Sequence, residues 1–219
     1  MGQKVNPIGF RLPLNRDWQS RWFARDQKEY RKNLLEDIKI REFLMEKLKL
    51  AGIVRAQIDR SINKVKITLH VSRPGVVIGR GGSSLELLKK ELVKMVSSIS
   101  EPEKNLEIET IEVKEPELSA YLVAQRIAEQ LQKRFPYRRV IGKTIERVMV
   151  AGAKGVKIVL AGRIAGAEIS RVEKFGDRGK SANVPNQTLR ANIDYAQVPA
   201  LTRSGYIGIK VWIYKKDEV

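Results

Sequence analysis

Three glycines within four residues, Gly79-Arg80-Gly81-Gly82, constrain this chain more than any other feature. Glycine has no Cβ, so it takes positive φ at little steric cost and lets other atoms approach the backbone closely. Such a cluster cannot continue a helix or a strand, so it punctuates the chain sharply. Pro74-Gly75-Val76-Val77-Ile78 runs into it as a short apolar turn. An amphipathic helix is expected beyond it, because Leu85, Leu88, Leu92, Met95 and Ile99 line one face, and Ser83 with Glu86 has capping-box spacing.

The flanks fix the order of elements around this loop. A short helical piece is expected near Asp26–Leu35, and a second helix from Asp37, where Ile40, Phe43, Leu44, Leu48 and Ala51 recur at helical steps before Gly52. Two alternating strands follow, Val54-Ala56-Ile58 and Val65-Ile67-Leu69-Val71, with Ser61–Asn63 as their turn. After the glycine loop and its helix, Glu101-Pro102-Glu103 is a stop. Leu106 to Val113 then reads as a strand, whose alternation slips near Thr110 as a bulge would make it.

That order, α-β-β-α-α-β with GxxG between the last two helices, resembles a type II KH domain. The chemistry is coherent. Gly79 and Gly82 let the backbone meet sugar and phosphate, the following helix N-terminus presents unpaired N–H groups and a partial positive charge, and Arg80 adds a full one. Val76, Val77 and Ile78 are expected to form an apolar floor for bases. Gly79, Arg80, Gly81 and Gly82 are therefore the first candidate RNA-binding residues; an ordinary structural turn is the competing account. Two look-alikes fail. A dinucleotide fingerprint needs glycine where Ser84 stands, and Gly142-Lys143-Thr144 lacks the P-loop glycine, its place being Tyr137.

Charge agrees with a polyanionic partner. The 219 residues carry 42 Lys and Arg against 25 Asp and Glu, a net charge of +17, which folding does not require and self-repulsion opposes. There is no cysteine, which removes thiolate metal sites and thiol nucleophiles and fits a reducing compartment. Met1–Pro7 has no apolar run like a secretory signal, and Asn6 breaks the myristoylation pattern. No membrane-spanning stretch is evident, so a cytoplasmic protein is expected. His70 is the only histidine and lies in an alternating strand, while Glu107 and Glu109 share the solvated face of another. No catalytic site, metal or cofactor is expected.

Glu115-Pro116-Glu117 reads as a linker between two domains. The expected division is a basic arm over 1–36, the KH domain over 37–114, the linker over 115–117 and a second α/β domain over 118–219. In the arm, Trp18, Trp22 and Phe23 are able either to stack on bases or to anchor it to its own domain. The second domain should hold one helix through Leu118, Leu122, Ile127, Leu131 and Phe135, and another over Val140–Val150. Strands are expected at Lys157–Gly162, Glu168–Lys174 and Ile207–Tyr214, with Leu189–Tyr195 as a fourth. Lys133-Arg134-Phe135-Pro136-Tyr137-Arg138-Arg139 is a dense cationic run. Arg139, Lys143 and Arg147 continue it at four-residue steps, either as a phosphate-contacting stripe or as a solvated face.

Ordered blocks along nearly the whole chain resemble the bacterial-type family of the third small-subunit ribosomal protein. They include Met1-Gly2-Gln3-Lys4-Val5-Asn6-Pro7-Ile8-Gly9, Asp17-Trp18-x-x-Arg21-Trp22 and Gly75-x-Val77-Ile78-Gly79-Arg80-Gly81-Gly82. Further blocks are Ala151–Gly155, Gly162-Arg163-x-x-Gly166-Ala167-Glu168-Ile169, Leu189-Arg190-Ala191-x-Ile193-Asp194-Tyr195 and Gly208–Tyr214. The resemblance implies an α+β protein: an N-terminal type II KH domain, then two helices packed on a mostly antiparallel sheet. It implies docking on small-subunit ribosomal RNA in the subunit head, beside small-subunit proteins ten and fourteen, and lining the channel where messenger RNA enters, with proteins four and five.

In that family, basic residues after the first helix of the second domain are linked to unwinding messenger RNA. Arg138 and Arg139 match two such positions. The third, commonly lysine, is Gly142 here, and Lys143 points about 100° further round a helix. The chain also departs in a longer polar insert, Gly176–Asn186. A free-standing KH regulator and an RNA-processing enzyme are the alternatives; the first predicts repeated KH units, the second an ATP loop or a carboxylate cluster, and neither is seen in the sequence.

Overall fold

The computed structural model describes residues 3–61, 64–95, 105–176 and 184–216. Ile62, Asn63, the expected helix end at Ile99, the Glu101–Glu103 stop and most of the polar insert lie outside the described residues. The chain forms two compact units: Trp18–Lys114, and Met1–Asp17 together with Glu115–Val219. The expected arm over 1–36 is thus divided between them.

The first unit opens with β1 (Ser20–Arg21) and α2 (Gln27–Lys47); α1 (Pro7–Phe10) belongs to the other unit. Then come β2 (Ile53–Arg60), β3 (Val65–Val71), α3 (Pro74–Ile78), a 3-10 turn at Arg80–Gly82, α4 (Ser83–Met95) and β4 (Leu106–Glu112). The sheet order is β1-β2-β3-β4, with β2/β3 antiparallel and β3/β4 parallel. Ile40 and Leu44 of α2 and Leu88 and Leu92 of α4 bury with Ile58, Ile67, Leu69 and Leu106 in one core.

Three local expectations are corrected. The two helices expected on either side of Glu36 are one 21-residue helix. Its first half buries Asn33, Glu36 and Asp37 instead of apolar residues, because Arg60 supplies their partner. The bulge lies between Ile53 and Arg55 in β2, not near Thr110, and β4 pairs β3 without a break from Val65↔Leu106 to Val71↔Glu112. Ser83 is not an N-cap: its backbone is already helical, and its hydroxyl donates to the Arg80 carbonyl at 3.0 Å.

The second unit contains α5 (Ala120–Gln132), α6 (Tyr137–Val150), β5 (Gly155–Gly162), β6 (Arg171–Gly176), β7 (Ile193–Thr202) and β8 (Gly205–Tyr214). All pairings are antiparallel, in the order β6-β5-β8-β7. Val123, Ile127, Ile141 and Val148 of the helices pack on Ile158, Leu160, Ile209, Val211 and Ile213. The fourth strand begins later than expected and runs ten residues, because Thr202 pairs Gly205 across a tight hairpin. Phe135 leaves the expected helical face and is 54% exposed, since α5 ends at Gln132 and Arg134 turns left-handed at φ 63°.

Residues before Trp18 are fastened to this unit by Arg11, which is fully buried. Its guanidinium donates to the carbonyls of Ala191 (2.9 Å), Thr188 (2.9 Å), Asn186 (3.0 Å), Pro7 (3.0 Å) and Pro185 (3.4 Å). The segment expected as a linker carries a 3-10 turn at Pro116–Leu118, with Glu117 paired to Arg126 at 2.6 Å.

Candidate nucleic-acid interface

All three loop glycines have positive φ: 71° at Gly79, 61° at Gly81 and 83° at Gly82. Gly79 is required twice over, because an added Cβ would also stand 2.8 Å from Ser84 Cβ. Gly81 and Gly82 are different: no atom lies within 4 Å of a Cβ there, so the backbone is open on that side. The Arg80 side chain is exposed and makes no hydrogen bond or ion pair among the described residues. Of the apolar floor, Val77 is fully buried and belongs to the core, while Val76 and Ile78 stay 46% and 39% exposed beside the loop.

The second candidate surface is the outer face of α6. Val140, Ile141, Thr144 and Val148 turn inward, which leaves Arg138, Arg139, Gly142, Lys143 and Arg147 outside. The side chains of Arg139, Lys143 and Arg147 make no hydrogen bond or ion pair among the described residues. Arg138 is placed by its neighbour: Nε donates to Tyr137 Oη at 3.2 Å, and the guanidinium carbon lies 5.8 Å from the ring centre. That hydrogen bond holds the Arg138 pKa above its ordinary value. The same phenol contacts Glu173 and Arg171, each at 3.3 Å. At Gly142 nothing lies within 4 Å of a Cβ, so a side chain would fit.

The remaining chemistry is structural. Gly142-Lys143-Thr144 lies inside α6, and Thr144 is buried with its hydroxyl donated to the Val140 carbonyl at 2.8 Å, so no phosphate loop exists there. Glu109 pairs Lys66 at 2.8 Å across adjacent strands, and Glu107 pairs Lys64, just before β3, at 3.4 Å. His70 is half-buried, and burial followed by the Arg55 charge pulls its pKa down. Trp22 anchors: its indole donates to Asp37 at 2.8 Å and its ring meets Tyr30 at 5.4 Å. Phe23 is 91% exposed and Trp18 58%. Among the described residues no cluster of His, Asp and Glu could hold a metal, and no helix is long and apolar enough to cross a membrane. Arg134, Arg163 and Arg203, which line one cavity in the second unit, were not singled out as a set by any sequence signal.

Comparison with known proteins agrees with both halves. A profile described as "KH domain" matches residues 39–118, and one described as "Ribosomal protein S3, C-terminal domain" matches residues 127–213. The small ribosomal subunit protein uS3 of Desulforamulus reducens is 50% identical over 217 residues, covering 99% of this chain and 93% of that protein. The uS3 proteins of Pelotomaculum thermopropionicum and a Ruegeria species are 48% and 47% identical over the same share of this chain, covering 89% and 86% of those proteins. With a KH loop in one unit, an S3-type C-terminal unit after it and this identity across nearly every residue, the chain belongs to the ribosomal protein S3 family.

Proposed function

We propose that this protein is a structural RNA-binding component of the small ribosomal subunit, seated in its head in the cytoplasm, and that it is not an enzyme. It docks on small-subunit ribosomal RNA and lines the channel through which messenger RNA enters. In this reading the two compact units act as two RNA-contacting domains. Gly79, Arg80, Gly81 and Gly82 carry RNA contact in the first, and Arg138, Arg139, Lys143 and Arg147 in the second. Small-subunit proteins ten and fourteen are its neighbours, with four and five at the messenger RNA entry.

The observation that carries this reading is the pairing of two exposed cationic surfaces. One is an open loop of glycines in left-handed conformation beside the unpaired Arg80; the other is a helix face with three unpaired cations. Phosphates answer both. The test is sedimentation. The tagged protein should travel with small subunits in a sucrose gradient and remain there at moderate salt. A protein confined to the top fractions would overturn the proposal.

A further inference from the structure

A cavity of about 400 Å³ opens in the second unit, where three segments meet: the α5–α6 junction, the turn after β5 and the tip of the β7–β8 hairpin. Each contributes one arginine to the lining, Arg134, Arg163 and Arg203, and no carboxylate lines it. The side chains of Arg134 and Arg203 have no hydrogen-bond or ion-pair partner among the described residues. Arg163 is aimed by its Nε, which donates to the Ala167 carbonyl at 2.8 Å. Three cations lining one hollow favour an anion between them.

The backbone of the cavity is also unusual. Arg134 (φ 63°) and Ala165 (φ 58°) are the non-glycine residues with positive φ among those described, and both line it. Each such residue costs about 1 kcal/mol or more. Arg134 sits where α5 is capped, with Arg134 N–H donating to Leu131 at 3.0 Å and Phe135 N–H to Gln130 at 3.1 Å. Glycine is the residue of least cost in that motif, so the arginine is held there against backbone preference.

Guanidinium groups suit a phosphate, which they grip by paired hydrogen bonds. The half-exposed Phe135 ring on the lining offers a flat apolar surface to a base, and Ser204 adds a hydroxyl. We propose that this cavity binds one unstacked nucleotide of a single RNA strand, its phosphate among Arg134, Arg163 and Arg203 and its base against Phe135. The inference rests on the RNA-binding reading and adds a site distinct from the glycine loop and from the α6 face.

The experiment is an amide NMR titration of the full chain with a single-stranded RNA trinucleotide, adenosine 5′-monophosphate and inorganic phosphate. The trinucleotide should shift Ala165 and Ser204 and bind there about tenfold or more tighter than the mononucleotide, since added phosphates and stacking both contribute. Equal affinities would mean a pocket for free nucleotides and overturn the proposal, as would no shift at these residues. Arg134→Gly relieves the backbone and removes the cation, so it should leave the melting temperature unchanged or higher while weakening trinucleotide binding at Ala165 by about tenfold. Unchanged affinity would overturn the proposal; Arg203→Gln, on a hairpin tip, repeats the test without touching the helix cap. Shifts at Gly79–Gly82 in the same spectra report the loop. Loop shifts without cavity shifts would sink this site and spare the RNA-binding reading, and silence at both would sink both.

Discussion

Arg60 grips Asp37 through two nitrogens at once: Nε and Nη2 both donate to Oδ1, at 2.9 and 2.6 Å. The other carboxylate oxygen accepts from the Trp22 indole and the Ser20 hydroxyl, each at 2.8 Å. Arg60 Nη1 reaches Glu36 at 3.0 Å, and all three charged side chains are nearly sealed from solvent. Removing one member of a buried ion pair strands the other, which costs about 3–5 kcal/mol. Asp37→Ala should therefore destabilise the first unit by that order in urea unfolding, with Glu36 softening the loss. A loss below about 1 kcal/mol would show that the pair is solvated and contributes as surface pairs do.

Arg11 makes a different prediction, because its partners are carbonyls and not acids. Burial, and then the Arg16 charge, pull its pKa down, yet an arginine stays charged. Arg11→Met keeps the volume and removes every donor, leaving several carbonyls unsatisfied at about 1–3 kcal/mol each. The second unit should lose about 3 kcal/mol or more, and trypsin should cut at Lys4 and Arg16 far faster. Arg11→Lys should rescue little, because an ammonium cannot span the same fan of acceptors. Full rescue by lysine would mean that charge alone matters there.

These two residues mark where sequence reading stops. The strands Val65–Val71 and Gly205–Tyr214 were legible because one face alternates apolar residues over a full element. The glycine loop was legible because its residue types have one conformational use. Helix α2 was legible only as two pieces, since Asn33, Glu36 and Asp37 break its apolar period, and their burial depends on an arginine 23 to 27 positions away. Arg11 carried no signal because its carbonyl partners other than Pro7 lie 174 to 180 positions along the chain. Arg134 was read only as part of the cationic run: a left-handed arginine reads like any other until the backbone is seen.

His70 gives the fold a pH dependence of definite sign. Burial first, then Arg55, lower its pKa in the folded chain, against a smaller opposing pull from Glu109. The unfolded chain then binds the proton more readily, so stability is present above the ordinary histidine pKa and is lost as pH falls through it. Melting temperature should rise from about pH 5 to about pH 7 with a component that His70→Gln removes. Parallel profiles for the two proteins would show that His70 does not contribute.

The glycine loop separates shape from charge. Gly79→Ala meets both the positive φ and the Ser84 side chain, and should cost about 1–3 kcal/mol of stability. Arg80→Asp with Gly81→Asp should keep the fold, because position 81 is open and aspartate tolerates the left-handed region. Its two carboxylates repel phosphate, so single-stranded RNA should bind the full chain about tenfold or more weakly by fluorescence anisotropy. Unchanged affinity in a folded variant would return the loop to a purely structural role.

The α6 face carries the most specific prediction. Arg139, Lys143 and Arg147 are unpaired and four residues apart, and Arg138 is propped by Tyr137 at the start of the helix. A cation that only balances charge in solvent is lost within about 0.5 kcal/mol of stability. One that grips a phosphate lowers the salt dependence of RNA binding by about 0.7 to 1 in slope when it is removed. Arg138→Ala with Arg139→Ala should leave subunit assembly intact and slow translation through a strong hairpin more than through an unstructured message. Gly142 stands on the same exposed face with nothing within 4 Å of a Cβ, so Gly142→Lys adds a cation without a clash. It also replaces a mid-helix glycine, which should raise stability by about 0.5–1 kcal/mol. If the helix meets the incoming strand, that substitution speeds the hairpin message and leaves the unstructured one alone. Equal slowing of both messages by the double alanine variant would assign the pair to general docking, and no slowing of either would leave these arginines as a solvated face.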